Sequence, residues 1–216
     1  MIPRPTTGKG AFLELILIVA MAIGLALVIQ AFGVKPYQIP SASMEPTLDV
    51  GQRVLVNRVT YHFSDPDRGD IVVFHPPEGA EKGKRCGAES ANDGDTDSDE
   101  ATFNPSTQAC PKPTEEATET NFIKRVVAVG GDRLRIEDGH PVVNGEAATE
   151  DFIKPCKGGN GCNLPEEIVI PPDHYFMMGD NRGSSDDSRF WGPVPREDII
   201  GQAFFTYWPP DRIGIL

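Results

Sequence analysis

The sequence predicts a mainly β fold: a single N-terminal transmembrane helix, then a β-rich catalytic body carrying a smaller inserted β lobe. Three observations lead there. Residues 15–34 are apolar except for Gln30, a run long enough to cross a bilayer. Beyond residue 34, short β-branched runs alternate apolar with polar positions and are separated by Gly, Pro, Asp and Asn. No stretch of that body sustains a 3.6-residue apolar period.

Taken in order, residues 1–11 read as a short cytoplasmic tail with Arg4 and Lys9, and 12–34 as the transmembrane helix. The twenty residues from 15 to 34, rising 1.5 Å each, span about 30 Å, the thickness of the hydrocarbon layer. Arg4 and Lys9 before the run, against Lys35 after it, place the body on the extracytoplasmic side. A cleaved signal peptide, with Ala31 and Gly33 before the cut, is the competing reading, but the run is long for one.

Residues 35–77 form the first part of the body. Within them 50–58 alternate as a strand, and 71–75 form another that is ended by Pro76 and Pro77. Residues 78–121 are an acidic insert whose composition predicts a flexible, solvated loop, above all over 87–108. Its run D-G-D-T-D-S-D-E does not make an EF-hand loop: counted from Asp93, Ser98 stands where glycine is needed and Asn104 where glutamate is needed. Residues 122–132 resume the body. Residues 133–172 form the small β lobe, with Asp138-Gly139 and Asn144-Gly145 as hairpin turns and a Gly-rich tip between Cys156 and Cys162. Residues 173–216 complete the body and end in a strand over 201–207.

The net charge of −12 argues against nucleic acid as a partner, and over half of it lies in 78–121. Four cysteines allow three pairings. Loop-closure entropy favours the local ones, Cys86 with Cys110 and Cys156 with Cys162. Paired cysteines imply an oxidising compartment, and no His or C-x-x-C pattern suggests a metal site.

Residues 38–48 read Q-I-P-S-A-S-M-E-P-T-L, directly after the apolar run. If extended, this stretch puts Ser41 and Ser43 on one side, bracketed by Pro40 and Pro46. Such a stretch is equally a polar juxtamembrane turn. In F-I-K-R-V-V, residues 122–127, Phe122, Lys124 and Val126 share one strand face and Ile123, Arg125 and Val127 the other. Burial there disfavours the charged amine and lowers its pKa. Bringing a lysine from about 10.4 to about 7 takes about 4–5 kcal/mol. The alternatives for Lys124 are an ion pair or a snorkelling side chain. His62, His75, His140 and His174 sit in polar stretches or at turns and read as surface residues, so a Ser-His-Asp arrangement using Asp187 is disfavoured.

These stretches, with G-G-D-R at 130–133 and M-G-D-N-R-G-S-S-D-D-S-R-F-W-G at 178–192, resemble the bacterial type I signal peptidases in content and in order. Those are membrane-bound serine proteases with a lysine base. The resemblance implies Ser43 as nucleophile, Lys124 as general base, and an oxyanion hole made of the Ser43 N–H and the Ser41 hydroxyl. Ser185 would orient the lysine, with Asp187 and Arg189 as a supporting charge pair beneath it and residues 179–182 as a turn holding that loop. Tyr37, Ile39, Pro40, Met44, Leu48, Phe122 and Ile123 would wall shallow pockets for small substrate side chains, or else be plain core. The length of the insert and the Gly183-Ser184 pair depart from the best-known members. The expected partners are signal peptides of exported preproteins and the lipid bilayer, with no cofactor, metal or obligate protein partner. A self-cleaving or regulatory serine–lysine peptidase and a membrane-anchored β binding protein are the alternatives.

Overall fold

The computed structural model describes residues 8–80, 86, 104–114, 116–158 and 161–216, with the side chains of 8, 9 and 26–32 outside that description. The chain opens with helix α1 (Gly8–Phe32). It starts ahead of residue 12 and stops short of 34, because Val34 is already paired with Asn57. That pair belongs to β1 (Val34–Gln38) and β2 (Arg53–Asn57). The α1 side chains from 11 to 25 are all exposed. Among the described residues no helix is long and apolar enough to cross a membrane.

Strands β3 (Ile71–Phe74) and β4 (Phe122–Val129) follow, then β5 (Arg133–Glu137), β6 (His140–Val143), β7 (Glu146–Ala147) and β8 (Leu164–Val169). Strands β9 (His174–Met178), β10 (Val194–Pro195), β11 (Ile199–Trp208) and β12 (Gly214–Ile215) complete the chain, with the short helix α2 (Ser188–Trp191) between β9 and β10. The larger sheet has eight strands in the order β1-β2-β11-β3-β4-β9-β10, with β12 on β11, and every pairing is antiparallel. The smaller sheet runs β7-β6-β5-β8. Its two tight turns have the chemistry they need: Asp138 and Gly139 sit at φ 50 and 82, and Asn144 and Gly145 at φ 54 and 86. Left-handed conformation at both central residues matches the right-handed twist of the strands they join.

Three apolar clusters hold these layers. Leu134, Ile136, Leu164 and Ile168 of the small sheet pack on Ala128, Phe176 and Met178 of β4 and β9. Phe74, Val126, Met177 and Trp191 fill a second cluster. The third puts Ile39, Met44 and Leu48 on Val54, Val56, Val73 and Ile123. β4 contributes to all three, so its residues are positioned from both faces.

The solvated loop expected over 87–108 lies, for 87–103, outside the described residues. Residues 104–108 pack on β8, where the Glu166 N–H donates to the Thr107 carbonyl at 3.0 Å and Thr107 Oγ1 donates to the Glu166 carboxylate at 2.6 Å. Cys86 is bonded to Cys110 and Cys156 to Cys162. The N–H groups of Cys86 and Cys110 donate to the carbonyls of Phe190 and Arg189, so this bridge straps the insert onto α2. It closes a loop of sequence separation 24, against 6 for the other bridge. Loop-closure entropy then gives about 3 kcal/mol for the longer bridge and about 2 kcal/mol for the shorter. Paired Cys→Ser replacement at 86 and 110 is expected to lower Tm more than replacement at 156 and 162. Equal losses in thermal unfolding would contradict that ranking.

Candidate active site

The serine segment is not a strand. Ser41 is extended, but Ala42–Met44 form a 3-10 turn. The apolar side chains dictate this shape: Ile39, Met44 and Leu48 are driven together into the third cluster, which folds the chain back between two prolines. Ser43 is thereby turned toward β4, with its hydroxyl 3.3 Å from that of Ser41.

Lys124 sits in the middle of β4, opposite Val72 of β3, and is only 4% exposed. Its Nζ lies 2.7 Å from Ser43 Oγ and also donates to the Ile123 carbonyl at 3.2 Å. The Phe122 ring is 5.3 Å from the amine. Burial lowers the Lys124 pKa from 10.5 to about 8. The carboxylates of Asp187, Asp186 and Asp180 pull it back up, and Arg189 opposes them. The amine is therefore neutral in about one molecule in ten at pH 7.

Residues 179–182 do more than turn the chain. The Asn181 N–H donates to the Ser43 carbonyl at 3.0 Å, and Asn181 Nδ2 donates to the Ala42 carbonyl at 3.0 Å. Thr47 Oγ1 donates to Asp180 at 2.5 Å, and Arg125 grips the same carboxylate through two bonds of 2.9 and 2.7 Å. Gly179 is packed so closely that a Cβ there would overlap Ser185 Oγ and the Ser43 carbonyl. Arg182 forms a buried ion pair with Glu150, tying this segment to the small lobe.

Asp187 and Arg189 form a fully buried ion pair at 2.8 Å, with Asp187 capping α2 through the Arg189 N–H. Burial alone would raise the Asp187 pKa. The Arg189 charge and bonds, the Gly179 N–H and the nearby Ser185 hydroxyl outweigh it and hold Asp187 below the usual range. Ser185 is not bonded to Lys124. Its Oγ is buried beside Gly179 and close to Asp187, without hydrogen-bond geometry to any described group.

A cavity of about 380 Å³ opens over Ser43 and Lys124, lined by Pro40, Ser41, Ala42, Thr120, Asn121, Phe122, Ile123, Ser184 and Asp186. Of the seven residues expected to wall pockets, Pro40, Phe122 and Ile123 line this cavity. Ile39, Met44 and Leu48 are core beneath it, and Tyr37 packs at the edge of the same core. Among the described residues no cluster of His, Cys, Asp or Glu could hold a metal ion. His75 and His174 bond backbone carbonyls, His140 lies 3.4 Å from Glu150, and His62 is exposed, so no histidine lines this cavity.

The roles of Asp180, Asn181, Arg125 and Thr47 were not legible in the sequence. Their contacts cross 133 positions for Thr47–Asp180 and 55 for Arg125–Asp180. The local pattern marked Arg125 only as lying on the strand face opposite Lys124.

The family described as "Signal peptidase, peptidase S26" matches residues 12–208. Signal peptidase I of Leptolyngbya laminosa is 36% identical over 199 residues, covering 92% of this chain and 80% of that protein. Thylakoidal processing peptidase 1, chloroplastic, of Arabidopsis thaliana is 33% identical over 193 residues, covering 89% of this chain and 47% of that protein. The crystal structure of a signal peptidase I from Enterococcus faecalis overlaps 64% of this chain and 97% of its own, at 21% identity and a TM-score of 0.37. With that family matched over nearly its whole length, the chain belongs to the peptidase S26 signal peptidases and is a serine endopeptidase.

Proposed function

We propose that this chain is a membrane-anchored endopeptidase that removes signal peptides from exported preproteins, with Ser43 as nucleophile and Lys124 as general base. The observation that carries this reading is the 2.7 Å approach of a buried amine to the Ser43 hydroxyl. Neutral Lys124 takes the Ser43 proton as Oγ attacks the scissile carbonyl. The developing oxyanion is met by the Ser43 N–H and the Ser41 hydroxyl, whose placement 3.3 Å from Ser43 Oγ suits that task. Protonated Lys124 then passes its proton to the leaving amine, and the acyl-enzyme forms. In the second half Lys124 deprotonates a water that attacks the ester, and the proton returns to Ser43 as the signal peptide leaves.

The substrate would lie extended in the cavity beside Pro40, Phe122 and Ile123, apolar walls suited to short side chains. Asp187 and Arg189 act in support. Asp187 favours the charged amine and Arg189 opposes it, while desolvation, the largest influence, decides the direction of the Lys124 shift. Anchoring rests on α1, whose side chains from 11 to 25 are almost all apolar and are all exposed. The β body would then lie on the extracytoplasmic side, where the two disulfides are stable. If so, the protein stays in the pellet after alkaline carbonate extraction and moves to the supernatant only with detergent. Release by carbonate alone would remove the anchor from the proposal.

Cleavage of a preprotein should rise with pH through a midpoint near 8 in kcat/KM, because the base works only when neutral. Lys124→Arg keeps a charge that cannot be lost in this range, so a folded variant should retain less than about 1% of the rate. Wild-type-like cleavage by that variant would remove Lys124 from the mechanism.

Burial of the amine also sets a stability–pH relation. The folded-state pKa of about 8 lies below the unfolded 10.5, so the unfolded chain holds the proton more tightly. Stability therefore rises with pH between those values, by about 3 kcal/mol. Lys124→Met fills the same space without a charge and should raise stability at pH 7 by about 2 kcal/mol while abolishing activity. A lowered Tm at pH 7 would show that the amine is not held at a cost.

A further inference from the structure

The nucleophile's backbone is gripped from outside the serine segment by one residue. Asn181 is 5% exposed and has no place among the reacting groups. Its two donors reach the two carbonyls that flank Ser43. The backbone N–H holds the Ser43 carbonyl, and Nδ2 holds the Ala42 carbonyl, each at 3.0 Å. A carbonyl can only accept, so the side-chain amide has only one orientation that fits.

The Ala42 carbonyl belongs to the same peptide unit as the Ser43 N–H. That unit is planar, and in the usual trans form its C=O and N–H point in opposite directions. Fixing one end of the unit aims the other. A 3-10 turn of three residues does not fix this plane firmly on its own. Its closing bond, from the Glu45 N–H to the Ala42 carbonyl, is 3.2 Å long, and its N-cap Ser41 makes no side-chain capping bond. The Asn181 amide is the shorter of the two bonds to that carbonyl.

Asn181 is in turn held by the small lobe. The Lys154 N–H donates to the Asp180 carbonyl at 2.8 Å and the Arg182 N–H to the Lys154 carbonyl at 3.1 Å, on either side of Asn181. Residues 154 and 181 form a parallel bridge. The amide is therefore presented from a backbone braced on both sides.

We infer that Asn181 is a positioning residue for the oxyanion hole: by gripping the Ala42 carbonyl, its side chain aims the Ser43 N–H at the developing negative charge. The inference rests on the proposed role of Ser43, and it assigns the Asn181 side chain a share of transition-state stabilisation without contact with substrate. A donor preset toward the oxyanion avoids reorganisation during the step. A donor free to rock would lose part of that advantage while ground-state binding in the cavity stayed the same.

The test is steady-state cleavage of a preprotein by Asn181→Ala and Asn181→Asp, with circular dichroism and thermal unfolding as checks of fold. The aspartate is nearly isosteric but sets an acceptor against the Ala42 carbonyl, so it serves if the alanine variant fails to fold. Both are expected to lower kcat about 10- to 100-fold with KM within about two-fold, less than the loss of a direct oxyanion donor. For Asn181→Ala the pH midpoint should stay near 8, because that change adds no charge near Lys124, whereas the new carboxylate of Asn181→Asp, beside Asp180, would raise it. Combined with Ser41→Ala, the Asn181→Ala loss should be non-additive, as both act on one oxyanion. A folded variant with unchanged kcat, a loss confined to KM, or a displaced pH midpoint in Asn181→Ala would each overturn the inference. Lys124→Ala, assayed alongside, keeps the two readings apart. Activity in that variant sinks the dyad itself, whereas a dead Lys124→Ala beside a fully active Asn181→Ala sinks only the role given to Asn181.

Discussion

Removal of the Lys124 amine from water is the constraint on which the rest of this structure depends. A lysine exposed to solvent is protonated at neutral pH and cannot accept a proton. Lys124 escapes that fate because it lies mid-strand in β4, between β3 and β9, with apolar clusters on both faces of its strand. The strand context and the 4% exposure bring its pKa to about 8. The sheet order serves this end. A lysine on an edge strand such as β1 would stay hydrated and charged.

An unmodulated field from the acids around the site would undo that shift. Asp180 and Asp187 are both buried within reach of the amine, and each favours its charged form. Each is given a guanidinium of its own: Arg125 takes Asp180 in two bonds, and Arg189 takes Asp187. Paired in this way, the carboxylates hold backbone in place, and at Lys124 Arg189 works against their pull. Asp187 caps α2, and Asp180 accepts from Thr47 of the serine segment. Replacing either partner alone would leave a buried charge uncompensated, the expensive way to break such a pair.

The two disulfides lie behind the site and brace its supports. Cys86–Cys110 straps the insert to α2, and Cys156–Cys162 closes the segment that runs from Lys154, the neighbour of Asn181. Four parts are thus joined in series: small lobe to residues 179–182, these to the serine turn, and the turn to β4. The small lobe braces the backbone of the serine turn through Lys154 and residues 180–182.

Much of this was legible in the sequence, for reasons that can be named. Alternation marked β2, β-branched apolar runs marked β3 and β4, and positive-φ dipeptides marked both hairpins of the small lobe, because these signals are local in the chain. Ser43 and Lys124 were singled out by their motifs, and an apolar flank on each side of Lys124 announced its burial. The conformation of the serine segment was not. Its S-A-S spacing suits a strand, and the 3-10 turn arises only because Ile39, Met44 and Leu48 compete for one cluster built from β2, β3 and β4. Tertiary contact also decided which apolar residues are cavity wall and which are core, and it left Ser185 without a bond to Lys124. The 2.7 Å meeting of Ser43 and Lys124 spans 81 positions, and the Asn181 grip on Ala42 spans 139. A sequence states which groups are present and how each neighbourhood prefers to fold. Distances across such separations follow from the packing of whole sheets, where no local preference reaches.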